Sequence, residues 1–274
     1  MKLNFEGGSS VNESNIRKLL PEGLTLGKDI RCLACVDSTN DYLKRLALQG
    51  GEHGTVVLAD GQTGGRGRMD RRFESPAGAG IYLSILLKLE CEPSELVTLT
   101  AWTAVAVCDA LETCCGVHAD IKWTNDLLLD GRKLCGILTE LVMEGDIPCV
   151  ILGIGLNVAQ SRADFAELGL EQIATSLSAE GVTVEREELS AAIIRSLDGM
   201  LNEFPQEWQR WLNRYRQRCV TLNRPVTVLK KETNYLAYAL AVEDDFTLRV
   251  RRENGEEECL SAGEVSVRGL MGYQ

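Results

Sequence analysis

Histidine is almost absent from this chain of 274 residues, and the two that occur, His53 and His118, lack the close pairing of a zinc finger. Cys32 and Cys35 offer two thiolates, but a tetrahedral site needs two further ligands, so no bound metal is expected. Net positive charge is missing as well. Against 40 acidic residues stand 29 basic ones, a formal charge of -11, which repels nucleic acid and anionic membrane unless basic residues are locally gathered. No uninterrupted apolar run approaches the about 18 residues of a membrane span. The N-terminus shows no basic segment leading into an apolar core. A cytoplasmic protein with neither a DNA nor a membrane partner is expected.

What is present is enough apolar material for a full core, 45% of residues, in a chain long enough for one large domain and a small one. The ten cysteines sit mostly in apolar runs such as 105–108 and 133–136, where a reduced thiol acts as a small hydrophobe. Residues 1–30 leave room for one short helix at 15–20. Ser38-Thr39-Asn40-Asp41 matches a capping box with Ser38 as N-cap, predicting a helix through 42–48 that Gly50-Gly51 ends. Strands are predicted at 55–59 and 81–89, a buried helix at 94–115, and short strands at 121–123 and 127–129. Two runs apolar on both faces, 134–143 and 148–158, predict a hairpin through the centre of a mixed or antiparallel sheet.

Helical periodicity resumes over 187–204 and 206–216, where Trp208, Trp211, Leu212 and Tyr215 recur at spacings that mark a core-facing stripe. From Val220 the pattern changes to short alternating runs at 225–229, 236–242, 246–250 and 264–268, as in a small β-barrel of about fifty residues. The expected boundary therefore divides residues 1–218 from residues 219–274.

Between the predicted strands, Gly64-Gly65-Arg66-Gly67-Arg68-Met69-Asp70-Arg71-Arg72-Phe73 gathers four arginines in an otherwise acidic chain. Glycines free the backbone to turn N–H groups toward a ligand, and guanidinium forks grip phosphate or carboxylate oxygens in pairs. The segment suits a nucleotide phosphate chain. A second cluster, Lys122-Trp123-Thr124-Asn125-Asp126 followed by Arg132-Lys133, brackets an acid and an amide between two lysines. A lysine entering an apolar strand is costly to bury unless an anion meets it, which nominates Lys133 for a carboxylate, with a snorkelling edge lysine as the alternative.

In order along the chain, Ser38-Thr39-Asn40, Gln62-x-x-Gly65-Arg66-Gly67-Arg68 with Ser75-Pro76 behind it, Lys122-Trp123-x-Asn125-Asp126, Arg132-Lys133-Leu134-x-Gly136-Ile137-Leu138 and Gly153-x-Gly155-x-Asn157 resemble a biotin protein ligase. Ala262-Gly263-Glu264-Val265-Ser266 resembles that family's C-terminal barrel. The resemblance implies the short form without an N-terminal DNA-binding domain. It also implies an α+β fold: a mixed or antiparallel sheet with flanking helices, like a class II synthetase catalytic domain, followed by an SH3-like β-barrel. Biotin, ATP and Mg²⁺ would be the small ligands, a biotin carboxyl carrier domain the partner, and pairing into homodimers an open alternative.

Carried over by position, Ser38, Thr39 and Gln62 would hydrogen-bond the biotin ureido ring, with Asn40, Gly65, Arg66, Gly67, Gly136, Gly153 and Gly155 lining its pocket. Arg68 and Lys133 would meet the carboxylate and phosphate as the catalytic cations. ATP would be held by Arg66, Arg68, Arg71, Phe73, Lys122, Trp123, Asn125, Asp126 and Asn157. Asp126 is left between orienting Lys122, placing Mg²⁺ and assisting the acceptor lysine.

The chain departs from the family pattern where Met69 and Asp70 replace arginine and glycine, Phe73 replaces tryptophan, and Thr124 replaces proline. Asp70 adds negative charge beside the phosphates and forfeits a glycine's freedom, which predicts weaker retention of an adenylate, while Phe73 can still pack apolar surface over the ligand and Thr124 frees one backbone N–H. A noncatalytic biotin sensor and a lipoate or octanoate ligase are the rival readings.

Overall fold

The computed structural model describes residues 10–89, 93–230, 234–261 and 266–269. Its main sheet has seven strands in the order β1-β2-β3-β7-β6-β5-β4. These are β1 (Ile30–Val36), β2 (Val56–Gln62), β3 (Gly80–Lys88), β4 (Asp120–Lys122), β5 (Asp126–Leu129), β6 (Arg132–Glu144) and β7 (Ile147–Asn157). The β1–β2 pair is parallel and the other pairings are antiparallel, so the sheet is mixed, as expected. β1 was missed in the sequence because its run, Ile30-Arg31-Cys32-Leu33-Ala34-Cys35-Val36, has partly exposed edge positions and weak alternation.

The helices are α1 (Glu13–Leu19), α2 (Thr39–Ala47), α3 (Pro93–Cys115), α4 (Arg162–Glu167), α5 (Arg186–Glu203) and α6 (Trp208–Arg218). One face of the sheet packs against α3 and α5 through Ile81, Leu83, Ile85, Leu152, Ile154 and Leu156. α2 covers only part of the other face, where Leu43 and Ala47 meet Val57, Leu86 and Ile151. That unequal cover is what leaves room for a site.

Ser38 caps α2, accepting from the Asp41 N–H at 3.4 Å. The Ser38 N–H goes to Asp37 instead of Asp41, so only half of the expected capping box forms. The aromatic stripe on α6 is core at Trp211, which stacks on Trp102 at 5.0 Å, and at Tyr215, but Trp208 faces solvent one turn earlier. The hairpin tip also departs from expectation, since Leu141, Met143 and Ile147 project beyond the helices that bury the rest of β6 and β7.

No helix among the described residues is long and apolar enough to cross a membrane. Cys32 and Cys35 lie on β1, and no group of three metal-ligating side chains occurs among the described residues.

A five-stranded antiparallel sheet follows, in the order β11-β10-β9-β8-β12. Its strands are β8 (Arg224–Leu229), β9 (Asn234–Val242), β10 (Leu248–Arg252), β11 (Glu257–Leu260) and β12 (Ser266–Gly269). No pairing among the described residues closes it, so the expected barrel is an open, SH3-like sheet. β11, only four residues long and rich in glutamate, carries no strand signal in the sequence, and Ala262 to Val265 of the closing motif lie outside the described residues.

On this sheet Glu258 accepts from Arg252 at 2.7 Å, from Lys230 at 3.1 Å and from the Tyr235 hydroxyl. The Arg252 hydrogen bond, against a smaller opposing effect of burial, holds its carboxyl at about 2. A folded-state value below the unfolded one stabilises the fold at neutral pH, and that contribution disappears as pH falls from 4.5 toward 2. Thermal melts of wild type and Glu258→Gln should therefore converge over that acid range and separate above it; parallel curves at all pH values would refute the linkage.

Candidate active site

Where α2 stops covering the sheet, three glycines, Gly136, Gly153 and Gly155, stand among the strand residues that line it. Ser84 pairs with Gly153 and Gly153 with Leu138; one step along, Tyr82, Gly155, Gly136 and Asp126 form a row across four strands. Stripping side chains from this floor opens a cleft of about 960 Å³ including its mouth. Two glycines are obligatory. A Cβ on Gly153 would lie 2.2 Å from Asn40 Oδ1, and one on Gly155 would lie 2.7 Å from the Phe73 ring.

One end of the cleft is polar without bearing charge. Gln62 Oε1 accepts from the Thr39 N–H at 2.8 Å and from the Thr39 hydroxyl at 3.2 Å, while Gln62 Nε2 donates to Ser75 Oγ at 2.9 Å. Ser84, fully buried on β3, lies 2.6 Å from Asn40 Oδ1, which can only accept its proton, and 2.7 Å from Thr39 Oγ1. Ser38, Thr39 and Asn40 are themselves buried at the start of α2. Amides and hydroxyls ordered this way suit a neutral polar ring better than an ion, because an ion here would lack a countercharge.

The rim above this end carries a charge network. Arg66 pairs with Asp41 and reaches Glu140 at 3.3 Å, Lys44 reaches Glu140 at 2.6 Å, and Asn40 Nδ2 donates to Glu140 at 2.8 Å. Burial pushes the Glu140 carboxyl up, but the bonds from Lys44 and Asn40 and the nearby cations outweigh it, leaving it below the usual carboxylate range. The Arg66 guanidinium thus enters the cleft lining already paired with two carboxylates.

At the other end Arg68 reaches inward to Thr124 Oγ1 at 3.1 Å and Asn125 Oδ1 at 2.9 Å. Burial lowers its pKa, an effect that the charge of Asp126 opposes. Lys133 Nζ lies 2.7 Å from Asp126 and 5.9 Å from the centre of the Phe73 ring. The sequence leaves Asp126 open between several roles; in the structure it is the partner of Lys133, and Lys122 stands opposite it across the β4–β5 hairpin. Arg71, Gly67, Trp123 and Gly136 also line the cleft. The left-handed backbone of the arginine loop falls on Met69, with φ 55° and ψ 42°.

Of the residues nominated from sequence, Gly65 and Asn157 alone do not line this cleft. Gly65 supports it from behind, where a Cβ would meet the Phe73 carbonyl at 2.4 Å. Asn157 donates to the Thr175 carbonyl at 2.9 Å and borders a neighbouring hollow shared by Arg72, Phe73 and Lys133, with Phe165, Leu170 and Ile173 as its apolar wall. Ser84, Glu140 and this hollow were missed in the sequence. A serine inside the buried run 81–87 was a legible signal; Glu140 and the hollow depend on contacts distant along the chain.

Gly153→Ala should displace Asn40 and lower stability by about 1–3 kcal/mol, the usual cost of overpacking a tight core. Gly199→Ala, on α5 with open space around it, should instead gain about 0.5–1 kcal/mol from helix propensity. Urea denaturation of both variants checks the contrast, and a neutral Gly153→Ala would mean that Asn40 does not need this floor.

The biotin/lipoate A/B protein ligase family matches residues 32–157. The bifunctional ligase/repressor BirA of Bacillus spizizenii is 35% identical over 259 residues, covering 92% of this chain and 78% of that protein. The biotin–[acetyl-CoA-carboxylase] ligase of Mycobacterium tuberculosis is 29% identical, covering 93% of this chain and 95% of that protein. The biotin protein ligase of Aquifex aeolicus in complex with biotin and ATP superposes with a TM-score of 0.75 at 26% identity, over 88% of this chain and 99% of that one. With that identity to the Bacillus protein sustained over most of both sequences, the chain belongs to the biotin/lipoate A/B protein ligase family.

Proposed function

We propose that this protein is a biotin protein ligase working with ATP, and that the observation carrying the assignment is a single cleft with a neutral polar end and a cationic end. Biotin has the same division. Its ureido ring is polar and uncharged, which suits Thr39, Gln62, Asn40 and Ser38, while its carboxylate would point along the glycine floor toward Arg68 and Lys133. Gly136, Gly153 and Gly155 would let the bicyclic ring and valeryl chain lie flat on the sheet. Gly65 and Gly67 would shape the loop above it.

The carboxylate attacks the α-phosphorus of ATP, giving biotinyl-5′-AMP and pyrophosphate; a lysine amine of a biotin carboxyl carrier domain then attacks the mixed anhydride and releases AMP. Biotin's carboxyl is already ionised at neutral pH, so the first step needs positioning and charge rather than a general base. Two anions must approach, and fixed cations in a water-poor pocket can offset their repulsion by several kcal/mol. Lys133 would exchange its contact with Asp126 for one with substrate. Arg68 is preorganised by Thr124 and Asn125.

The phosphates would extend past Arg71 and Lys122, with Trp123, Asn125 and Asp126 beneath them and Arg66 closing the rim. The neighbouring hollow, with Phe73 and Lys133 in common and an apolar wall, suits the adenine ring, and Asn157 would brace that wall through Thr175. Mg²⁺ does not find a cage of three protein ligands among the described residues; it would enter as the ion carried by the ATP phosphates and neutralise their charge, and Asp126, a carboxylate in the cleft lining, would be available to hold it. Residues 1–218 would form the catalytic unit and residues 219–274 a supporting one.

Incubation with biotin, MgATP and an isolated carrier domain should add one biotinyl mass to one lysine, read by intact mass. Lys133→Ala should lower adenylate formation by at least about 100-fold, the scale of losing one preorganised charge contact. Arg68→Gly should still form adenylate but release it to solvent. Normal turnover by folded Lys133→Ala would refute the assignment of this cleft.

A further inference from the structure

Glu180 lies outside every motif recognised in the sequence, at the end of the short 3-10 turn Ser178–Glu180. Its side chain is only 10% exposed, yet Arg132 at 2.8 Å and the Thr175 hydroxyl donate to it, and the Arg162 guanidinium adds a longer ion-pair contact at 3.7 Å. A carboxylate so enclosed is tolerated because its partners satisfy it, and removing it would leave them unpaired. Two of these partners bear on Lys133.

Arg132 precedes Lys133 on β6, so strand alternation sends the two side chains to opposite faces. The arginine is fastened to Glu180 behind the sheet while the lysine faces the cleft. Thr175 acts from the other side: its N–H donates to the Lys133 carbonyl at 2.9 Å, and the Lys133 N–H donates to the Ile173 carbonyl at 2.9 Å. These bonds set Ala174 beside Lys133 in a parallel bridge. Glu180 thus grips both members of one small ladder, and Ile173 and Ala174 on that ladder form part of the apolar hollow.

We infer that Glu180 is a positioning residue for the nucleotide half of the site, holding residues 173–175 in register with Lys133, so that ATP binding, which uses the hollow as well as Lys133, depends on it more than biotin binding, which uses Lys133 alone. This rests on reading the cleft as a biotin and ATP site. The polar end belongs to a separate set of hydrogen bonds among Thr39, Asn40, Gln62, Ser75 and Ser84, none of which involves Glu180. Loosening the ladder should therefore affect the two substrates unequally.

The test is biotin-dependent ATP–pyrophosphate exchange by the purified full chain, with ATP and biotin varied separately, for wild type, Glu180→Gln and Thr175→Val. KM for ATP should rise about tenfold in Glu180→Gln, the scale of one lost charge-assisted hydrogen bond, and by less in Thr175→Val. KM for biotin, which feels the ladder only through Lys133, should rise by much less in both. Thr175→Val keeps the backbone bonds and removes only the hydroxyl, so it carries the test if Glu180→Gln does not fold. An unchanged KM for ATP in the folded variants, or equal rises for both substrates alongside a fallen melting temperature, would overturn the inference. Absence of any exchange in the wild type would instead refute the ligase reading beneath it.

Discussion

The site depends on the closeness with which other groups approach the backbone of β7. Asn40 reaches Gly153 and the Phe73 ring reaches Gly155 at distances that leave no room for a side chain. These contacts join three separate pieces of chain: α2, the arginine loop and the central strand. The glycines thereby place the polar end and the loop on one floor, with the row from Tyr82 to Asp126 leading toward the cations. Larger residues there would separate the two ends of the cleft before any charge could act.

Charge is then deployed against the trend of the whole chain. A protein with a net charge of -11 must bind anionic ligands, so its cations have to be locally concentrated and its acids locally occupied. The structure does both. Asp41 and Glu140 are engaged by Arg66 and Lys44, and Asp126 by Lys133, so acids near the cleft are balanced before a ligand arrives. Arg68 is the more committed cation, since burial disfavours its charge and an arriving anion would relieve that penalty. The left-handed Met69 adds a strain of about 1–2 kcal/mol to the loop, which a glycine would avoid.

The sheet was legible in the sequence wherever strands were long and apolar, as at β3 and β7, and the motif residues were legible as a set because short glycine and charge patterns survive without any knowledge of packing. What could not be read was pairing across the fold. Arg66 could not be given its partners until α2 and β6 brought Asp41 and Glu140 beside it, nor Asp126 its own until the β5–β6 register put Lys133 within 2.7 Å. Edge strands such as β1, and α4 with a single helical turn and a half, carry too few periodic positions to rise above loop sequence. Trp208 shows the converse error, an aromatic at helical spacing that has no layer to face.

The open C-terminal sheet matters to the site through one hairpin. The Trp123 N–H donates to Thr221 Oγ1 at 2.9 Å, its indole N–H donates to the Phe246 carbonyl at 3.0 Å, and the Tyr215 hydroxyl donates to the Thr124 carbonyl at 3.1 Å. Tyr215 also packs edge-on against Phe246 at 5.6 Å, joining α6 to the second sheet. Thr124 and Asn125, the residues that receive Arg68, therefore sit on a turn braced from below by both parts of the chain. A flexible turn would let the guanidinium follow solvent and lose its preorganisation; a braced one makes the cation wait at the place where charge must be neutralised. Since the hydrophobic core runs without a break from α3 through Trp123 to Val228 and Leu248, the second sheet is part of the rigid backing of the cationic end.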